Sequence, residues 1–249
     1  MAAKREEYKN KLNELVEWDE FLRQQSGLPG PRANLELMYA AAEEGDEERF
    51  LGFLGYEENH PDGNSPDVFV LMCGIVGLGK LAAQDDRSYL KRLRAFAKDE
   101  RWRVREGVSM ALQLYGKSDI HGMLTEMNDW ATGSLLERRA VVAALCEPAL
   151  LKDRSAAERT VRLLDAITSS LVDEGNRRTE ELRVLRQTLG YGWSVAIAAC
   201  PVPGKELFFH WLTSSDPDIR WLVKENLSKS RLKKMDAEWV AECMRNLAS

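Results

Sequence analysis

Apolar residues recur along this chain at intervals of three and four, the spacing that places side chains on one face of an α-helix. One such stripe consists of Val104, Val108, Ala111, Leu112 and Tyr115. The same spacing returns in residues 89–97, 120–127 and 239–247, and the strict alternation typical of β-strands is nearly absent. We therefore predict an all-α chain of about a dozen helices joined by short turns.

Turn-forming residues separate these stripes, as in Gly45-Asp46 and in the Ser-Ser-Asp-Pro segment at 214–217. Serine and aspartate at such joints are also good N-caps for the helix that follows. A longer polar loop over residues 57–67 is the one candidate linker. We predict an acidic N-terminal helical cap over 1–66 and a single continuous stack of helix pairs over 67–249.

Four segments of the chain resemble one another: 102–116, 135–149, 180–194 and 217–231. Each carries an arginine early in a predicted helix, namely Arg105, Arg138, Arg183 and Arg220. Their spacing averages roughly 38 residues, which suits a helix–turn–helix repeat. Because a single helix pair cannot bury its apolar face, neighbouring pairs must stack on one another.

Two of these segments carry a recognisable pattern. Val104-Arg105 and Ile219-Arg220 each follow an aspartate, and an Ala-Leu or Asn-Leu pair comes seven residues later. This pattern resembles the helices of HEAT repeats over roughly residues 67–249. The copies depart from it at Glu137, Arg186 and Asn226. The resemblance implies a right-handed α-α superhelix of the HEAT or armadillo-like kind.

The repeat arginines allow two interpretations. In HEAT proteins, as the resemblance implies, an arginine at this position often bonds an aspartate of the neighbouring repeat. The alternative is a basic concave surface that contacts phosphates or an acidic partner, since residues 177–234 hold 11 basic and 6 acidic groups. The candidate partner-binding residues are Trp102, Arg105, Arg138, Arg139, Arg183, Arg186, Arg220, Trp221 and Lys224.

Composition and charge narrow the class of protein. The chain has 249 residues and a net charge of −5, which divides into −9 over residues 1–67 and +4 over 68–249. Its N-terminus is too charged for a signal peptide, and its longest apolar run is too short to span a bilayer. The four cysteines and three histidines are scattered without metal-ligand spacing. We expect a cytoplasmic protein with buried thiols, no membrane association, no metal and no cofactor.

Residues 74–80 imitate a nucleotide-binding loop, because Gly74, Gly79 and Lys80 have the spacing of the Walker A motif. That motif requires a serine or threonine after the lysine to hold magnesium, and Leu81 stands there. It also requires a strand before the loop. We predict instead a helix over this segment, including residues 68–73, whose glycines let neighbouring helices approach closely.

One enzyme family with this architecture is the HEAT-like DNA alkylation repair glycosylases. Asp99, Trp102 and Arg105 resemble its Asp-x-x-Trp-x-x-Arg arrangement, and Arg105 would match the arginine that faces the lesion. The Trp-x-x-x-Asp pair expected in the preceding repeat is absent from residues 74–80, and Ala144 stands near the place of a second tryptophan. Without a positioned carboxylate, cleavage of a glycosidic bond lacks electrostatic support.

The sequence thus favours a non-catalytic HEAT-like scaffold that binds a macromolecular partner, in the first place a protein, on its concave face. The alternative is a nucleic-acid-binding HEAT-like protein related to the repair glycosylases. We assign no catalytic residue.

Overall fold

The computed structural model describes residues 2–59, 62–84 and 87–248 of the chain. Fifteen α-helices and three short 3₁₀ helices form within these residues, and no β-strand does. The all-α prediction is therefore confirmed, including the helix over residues 68–73. The α-helices are α1 (Ala2–Asn13), α2 (Asp19–Gln25), α3 (Leu35–Glu44), α4 (Glu47–Leu54), α5 (Pro66–Ala82), α6 (Ser88–Phe96), α7 (Trp102–Ser118), α8 (Ile120–Ala131), α9 (Leu135–Leu145), α10 (Arg154–Val172), α11 (Glu180–Ala199), α12 (Pro201–His210), α13 (Pro217–Leu227), α14 (Ser230–Met235) and α15 (Ala237–Ala248).

Side-chain caps begin many of these helices, as the turn residues predicted. The side chains of Asp46 and Asp216 accept hydrogen bonds from backbone N–H groups in the first turns of α4 and α13. Ser134 and Glu137 form a capping box at the start of α9, in which each side chain accepts from the other residue's backbone N–H. Glu137 departs from the repeat pattern because it caps the helix.

The chain divides into two compact units, residues 1–118 and 119–249. Residues 60 and 61 of the predicted linker lie outside the described residues. The short 3₁₀ helix Gly55–Asn59 precedes them, and α5 begins soon after them at Pro66. The predicted division between residues 66 and 67 thus falls at the first turn of α5, within the first unit, and it stays a prediction.

Helix α5 is the centre of the first unit, packed against α2, α3, α4, α6 and α7. All its residues from Val68 to Gly79 are buried. A Cβ atom at Gly79 would lie 2.1 Å from the backbone oxygen of Ala111 on α7, and one at Gly77 would lie 2.3 Å from the ring of Phe50. These glycines therefore permit close helix packing, as predicted.

In the second unit, alternate helices pack on one another. Helices α9, α11 and α13 are in contact in succession, and so are α8, α10 and α12. Trp193 of α11 is fully buried; its ring centroid lies 5.3 Å from that of Phe208, and its indole N–H donates to Thr168. This tryptophan fills the space between helices.

Asn226 is the least expected core residue of the second unit, because it is polar and fully buried on α13. Its carboxamide oxygen accepts from the backbone N–H of Ser194, and its amide nitrogen donates to the backbone oxygens of Leu189 and Leu222. Two of these three bonds are made to the neighbouring helix α11. The side chain of Asn226 therefore joins α13 to α11.

All four cysteines are buried and unbonded, as predicted. Burial raises the pKa of the Cys73 thiol and raises that of Cys146 to about 12, since an apolar surrounding disfavours the thiolate. Among the described residues, no helix has the length and hydrophobicity that crossing a membrane requires.

Candidate partner-binding surface

The first turns of α11 present two arginines that the sequence singled out. Thr179 caps α11, its hydroxyl accepting from the backbone N–H of Leu182. Arg183 lies on the exposed side and bonds Glu180 of the same turn, with Nε 2.6 Å from the carboxylate. Arg186 comes three residues later, on the side that faces α13.

Arg186 is held by two side chains of α13. Its Nη1 donates to Asp218 Oδ1 at 2.5 Å, and its guanidinium carbon lies 4.6 Å from the ring centroid of Trp221. Asp218 and Trp221 are three residues apart, so they share one face of α13. We call Arg186, Asp218 and Trp221 the arginine clamp.

A glycine on α11 makes room for the ring of the clamp. A Cβ atom at Gly190 would lie 3.0 Å from Cζ3 of Trp221. Gly190 follows Arg186 by one helical turn, so the indole rests on the backbone of α11 with the guanidinium beside it. Trp221 is therefore half-buried and fixed in orientation.

A second arginine, from the loop between α10 and α11, also bonds the start of α13. Arg177 donates to Asp216 Oδ2 at 2.7 Å and to Asp218 Oδ2 at 3.1 Å. Burial acts to lower the pKa of Arg177, but the bonds to Asp216 and Asp218 outweigh it and the pKa is raised. Both aspartates are thus already engaged by guanidinium groups.

The groove between α13 and α15 lies on the other side of Trp221. We call it the α13–α15 groove. Its volume is about 340 Å³, and it is lined by Arg220, Trp221, Lys224, Met244 and Leu247. Arg220 Nη2 donates to the backbone oxygen of Leu247 at 2.9 Å. Lys224 is exposed, and its ammonium group forms no hydrogen bond or ion pair with any described residue.

The remaining candidates in the second unit have structural contacts. Arg138 of α9 donates to Ser170 and, at 3.0 Å, to Glu174 in the loop that leads to α11. Arg139 is buried, with 9% of its surface exposed. Five of the candidates, namely Arg183, Arg186, Arg220, Trp221 and Lys224, therefore lie on α11 and α13 around the clamp.

Trp102 and Arg105 belong to the first unit. Trp102 is 53% exposed, with the guanidinium of Arg103 over its ring at 4.4 Å. Arg105 is only 6% exposed, and its Nη1 donates to the backbone oxygens of Asp99 and Glu100 at 2.6 and 2.7 Å. This placement closes the loop before α7 and turns the guanidinium away from solvent.

The Walker-like segment is part of α5, and its lysine has a structural contact. Lys80 Nζ donates to the backbone oxygens of Glu43 and Gly45 at 2.7 and 2.8 Å, at the end of α3. The ammonium thus binds carbonyls at a helix C-terminus, where cations are favoured. Among the described residues, no cluster of histidine, cysteine and acidic side chains could hold a metal ion.

Four residues of this surface were not predicted from the sequence to belong to a site, namely Asp218, Arg177, Met244 and Leu247. Asp218 and Arg177 were missed because their pairing depends on the loop before α11 meeting the first turn of α13, although Asp218 lies one turn before Trp221. Met244 and Leu247 belong to an apolar stripe on α15. The spacing of such a stripe is the same whether all its residues are buried or some stay exposed at its edge.

Comparison with protein-family models, with curated proteins and with solved structures finds no match for this chain.

Proposed function

We propose that this chain is a non-catalytic HEAT-like repeat protein that binds a protein partner on its second unit, at the surface around Trp221. The observation that carries the proposal is the arginine clamp, which fixes a half-buried tryptophan between exposed cations. Tryptophan and arginine are the residues that most often dominate the binding free energy of protein interfaces.

The packing of the second unit supports the HEAT-like assignment. Alternate helices contact one another, as they must where helix pairs stack. Arg138 bonds Glu174 ahead of α11, and Arg186 bonds Asp218 on α13, so arginines link successive helix pairs. The single right-handed superhelix over residues 67–249 remains a prediction. Small-angle X-ray scattering tests its elongation, though not its handedness, through the longest dimension of the particle.

The shape of the surface favours a macromolecule over a small substrate. The α13–α15 groove is an open depression of about 340 Å³, and a neighbouring depression of about 360 Å³ is lined by Arg177, Arg183 and Arg186 among others. Small-molecule sites usually enclose most of the ligand's surface. Two shallow depressions side by side suit an extended partner that covers both.

The charges favour protein over nucleic acid. Arg177, Arg183 and Arg186 already bond carboxylates, which leaves Arg178, Arg220 and Lys224 as the cations of the two depressions that have no carboxylate partner among the described residues. Tight duplex binding draws on roughly six to ten phosphate contacts. A nucleic-acid-binding protein is the second candidate, and the same experiment distinguishes it.

A photocrosslinking experiment in the native host tests the proposal. A benzophenone amino acid at Lys224 should give a protein adduct on irradiation, whereas the same amino acid at Arg154, whose side chain is 88% exposed on α10, should not. The adduct should disappear when Trp221→Ala is added to the Lys224 variant, because the partner's anchor is lost.

Two results would count against this function. A nucleic-acid adduct at position 224 would favour the second candidate. Equal labelling at positions 224 and 154, unaffected by Trp221→Ala, would show that the surface binds no specific partner.

A further inference from the structure

The proposed function leaves the chemistry of the partner open, and the α13–α15 groove limits it. We infer that the groove binds a short acidic segment of the partner, with one apolar side chain in the groove and carboxylates beside it. This inference rests on the proposed function, because it assumes that the second unit binds a protein.

The floor of the groove is apolar. It is formed by Trp221, Met244 and Leu247, and Met244 is 41% exposed. Methionine beside an aromatic ring is adaptable and accepts apolar side chains of different shapes. Covering these three residues would remove apolar surface from water, which is the main source of affinity in a small groove.

The rim of the groove is cationic, and none of the described residues that line it carries a carboxylate. Arg220 and Lys224 are four residues apart on α13, so their side chains are neighbours on the helix surface, where like charges repel. The ammonium group of Lys224 bonds no described residue, and the guanidinium of Arg220 donates to a backbone oxygen. A carboxylate of the partner would relieve this repulsion and supply the missing counter-charge.

The carboxylates on the same helix do not neutralise the rim, because other cations already bond them. Glu225 accepts from Lys229 at 2.5 Å. Asp218 accepts from Arg186 at 2.5 Å and from Arg177 at 3.1 Å. Because this aspartate is shared between two guanidinium groups, its charge is already balanced within the surface. The groove therefore presents a net positive potential to the partner.

The size of the groove agrees with a short segment. A volume of about 340 Å³ is at the small end of the range for ligand sites, roughly 300–1,000 Å³. It suits one leucine or phenylalanine side chain and the residues next to it. A duplex would find only two cations here, fewer than the phosphate contacts that tight binding requires.

Peptide display on the purified full chain tests the inference. Random peptides selected on the chain should converge on an apolar residue flanked by aspartate or glutamate. In fluorescence anisotropy, the selected peptide should bind Lys224→Glu about tenfold more weakly than the parent chain, because an attraction becomes a repulsion. Replacing its apolar residue by serine should weaken binding to a similar degree, and added salt should weaken it further.

The control variant is Lys152→Glu, which makes the same change of charge at an exposed lysine after α9, outside the groove. It should bind the peptide as the parent does, and thermal melting should show that both variants are folded. A basic or uncharged consensus, or equal affinity for the parent and Lys224→Glu, would overturn the acidic-segment inference and leave the crosslinking result at position 224 standing. Failure to select any peptide would also overturn it.

Discussion

The guanidinium carbon of Arg186 on α11 lies 4.6 Å from the ring centroid of Trp221 on α13. The same guanidinium bonds Asp218, one turn before that tryptophan. Arg186 therefore joins two helices and fixes the orientation of an aromatic ring at the surface. Under the proposed function, the side chain that stabilises the contact between α11 and α13 also orients the aromatic ring of the binding surface, and substitutions that weaken the contact should also disturb binding.

Asp218→Asn should lower the free energy of unfolding by about 1–2 kcal/mol, because it removes a charged acceptor from Arg186 and Arg177. The side chains of Arg186 and Arg177 are 30% and 32% exposed, and that of Asp218 is 15% exposed. Solvent therefore screens part of the electrostatic attraction between them. Urea denaturation of the parent chain and of Asp218→Asn measures the difference in the free energy of unfolding.

The matched control is Glu180→Gln, which breaks the ion pair with Arg183 where both side chains are more than half exposed. It should change stability by no more than about 0.5 kcal/mol. Equal effects of the two substitutions would mean that the clamp contributes no more than an exposed ion pair.

Asn226→Leu should lower the free energy of unfolding by about 2–4 kcal/mol, although leucine has a similar size and is more apolar. The substitution leaves the N–H of Ser194 and the oxygen of Leu189 buried without their side-chain partner. Asn128→Leu, the same change at an exposed position on α8, should be close to neutral. A stabilised Asn226→Leu variant would show that α11 satisfies these groups by itself.

Much of the fold could be predicted because its causes are local. The helical spacing of apolar residues predicted α7, and Asp46 and Asp216 predicted the starts of α4 and α13. Two residues that depart from the HEAT-like sequence pattern, Glu137 and Asn226, make hydrogen bonds that the pattern does not predict. Glu137 completes a capping box, and Asn226 bonds the backbone of α11.

The site could be predicted only in part, because its members meet through tertiary packing. Arg186 and Trp221 were both candidates, but nothing in the sequence shows that they come into contact across the 34 residues between them. Met244 was not a candidate, since an apolar stripe does not reveal which of its residues stay exposed. Arg105 was a candidate through a motif, and its burial became visible only in the structure.

Gly79→Ala should destabilise the first unit by about 3 kcal/mol, because the new methyl group would meet the backbone of α7 at Ala111. Gly52→Ala on α4 is the control, since nothing lies within 4 Å of its new Cβ. It should raise stability by about 0.5–1 kcal/mol through helix propensity. Thermal melting compares the two variants, and a harmless Gly79→Ala would contradict the close contact of α5 with α7.

Addition of ATP and magnesium should leave the melting temperature unchanged. Lys80 Nζ is bonded to the backbone oxygens of Glu43 and Gly45, and the glycines before it are packed against other helices. A nucleotide present at 100 times its dissociation constant would add about 2.7 kcal/mol of stability, which differential scanning fluorimetry detects easily. An upward shift that Lys80→Ala abolishes would restore the nucleotide-binding hypothesis.

Arg105→Ala should weaken the fold and leave nucleic-acid binding unchanged. Its Nη1 donates to the backbone oxygens of Asp99 and Glu100, and the residue is 6% exposed, so its loss should reduce the free energy of unfolding by about 2 kcal/mol. We expect plain and alkylated duplexes to bind alike, with a dissociation constant no tighter than about 10⁻⁶ M at physiological salt.

Fluorescence anisotropy at two salt concentrations measures this binding for the parent, Arg105→Ala and Arg220→Ala chains. Of the two arginines Arg220 is the exposed one, so it should account for more of any phosphate contact, and its contribution should shrink as salt rises. Tight binding selective for the alkylated duplex, lost in a folded Arg105→Ala variant, would instead assign the lesion-facing role to Arg105. In that case Arg105 would have to leave its bonds to Asp99 and Glu100, and the loop before α7 would open when DNA binds.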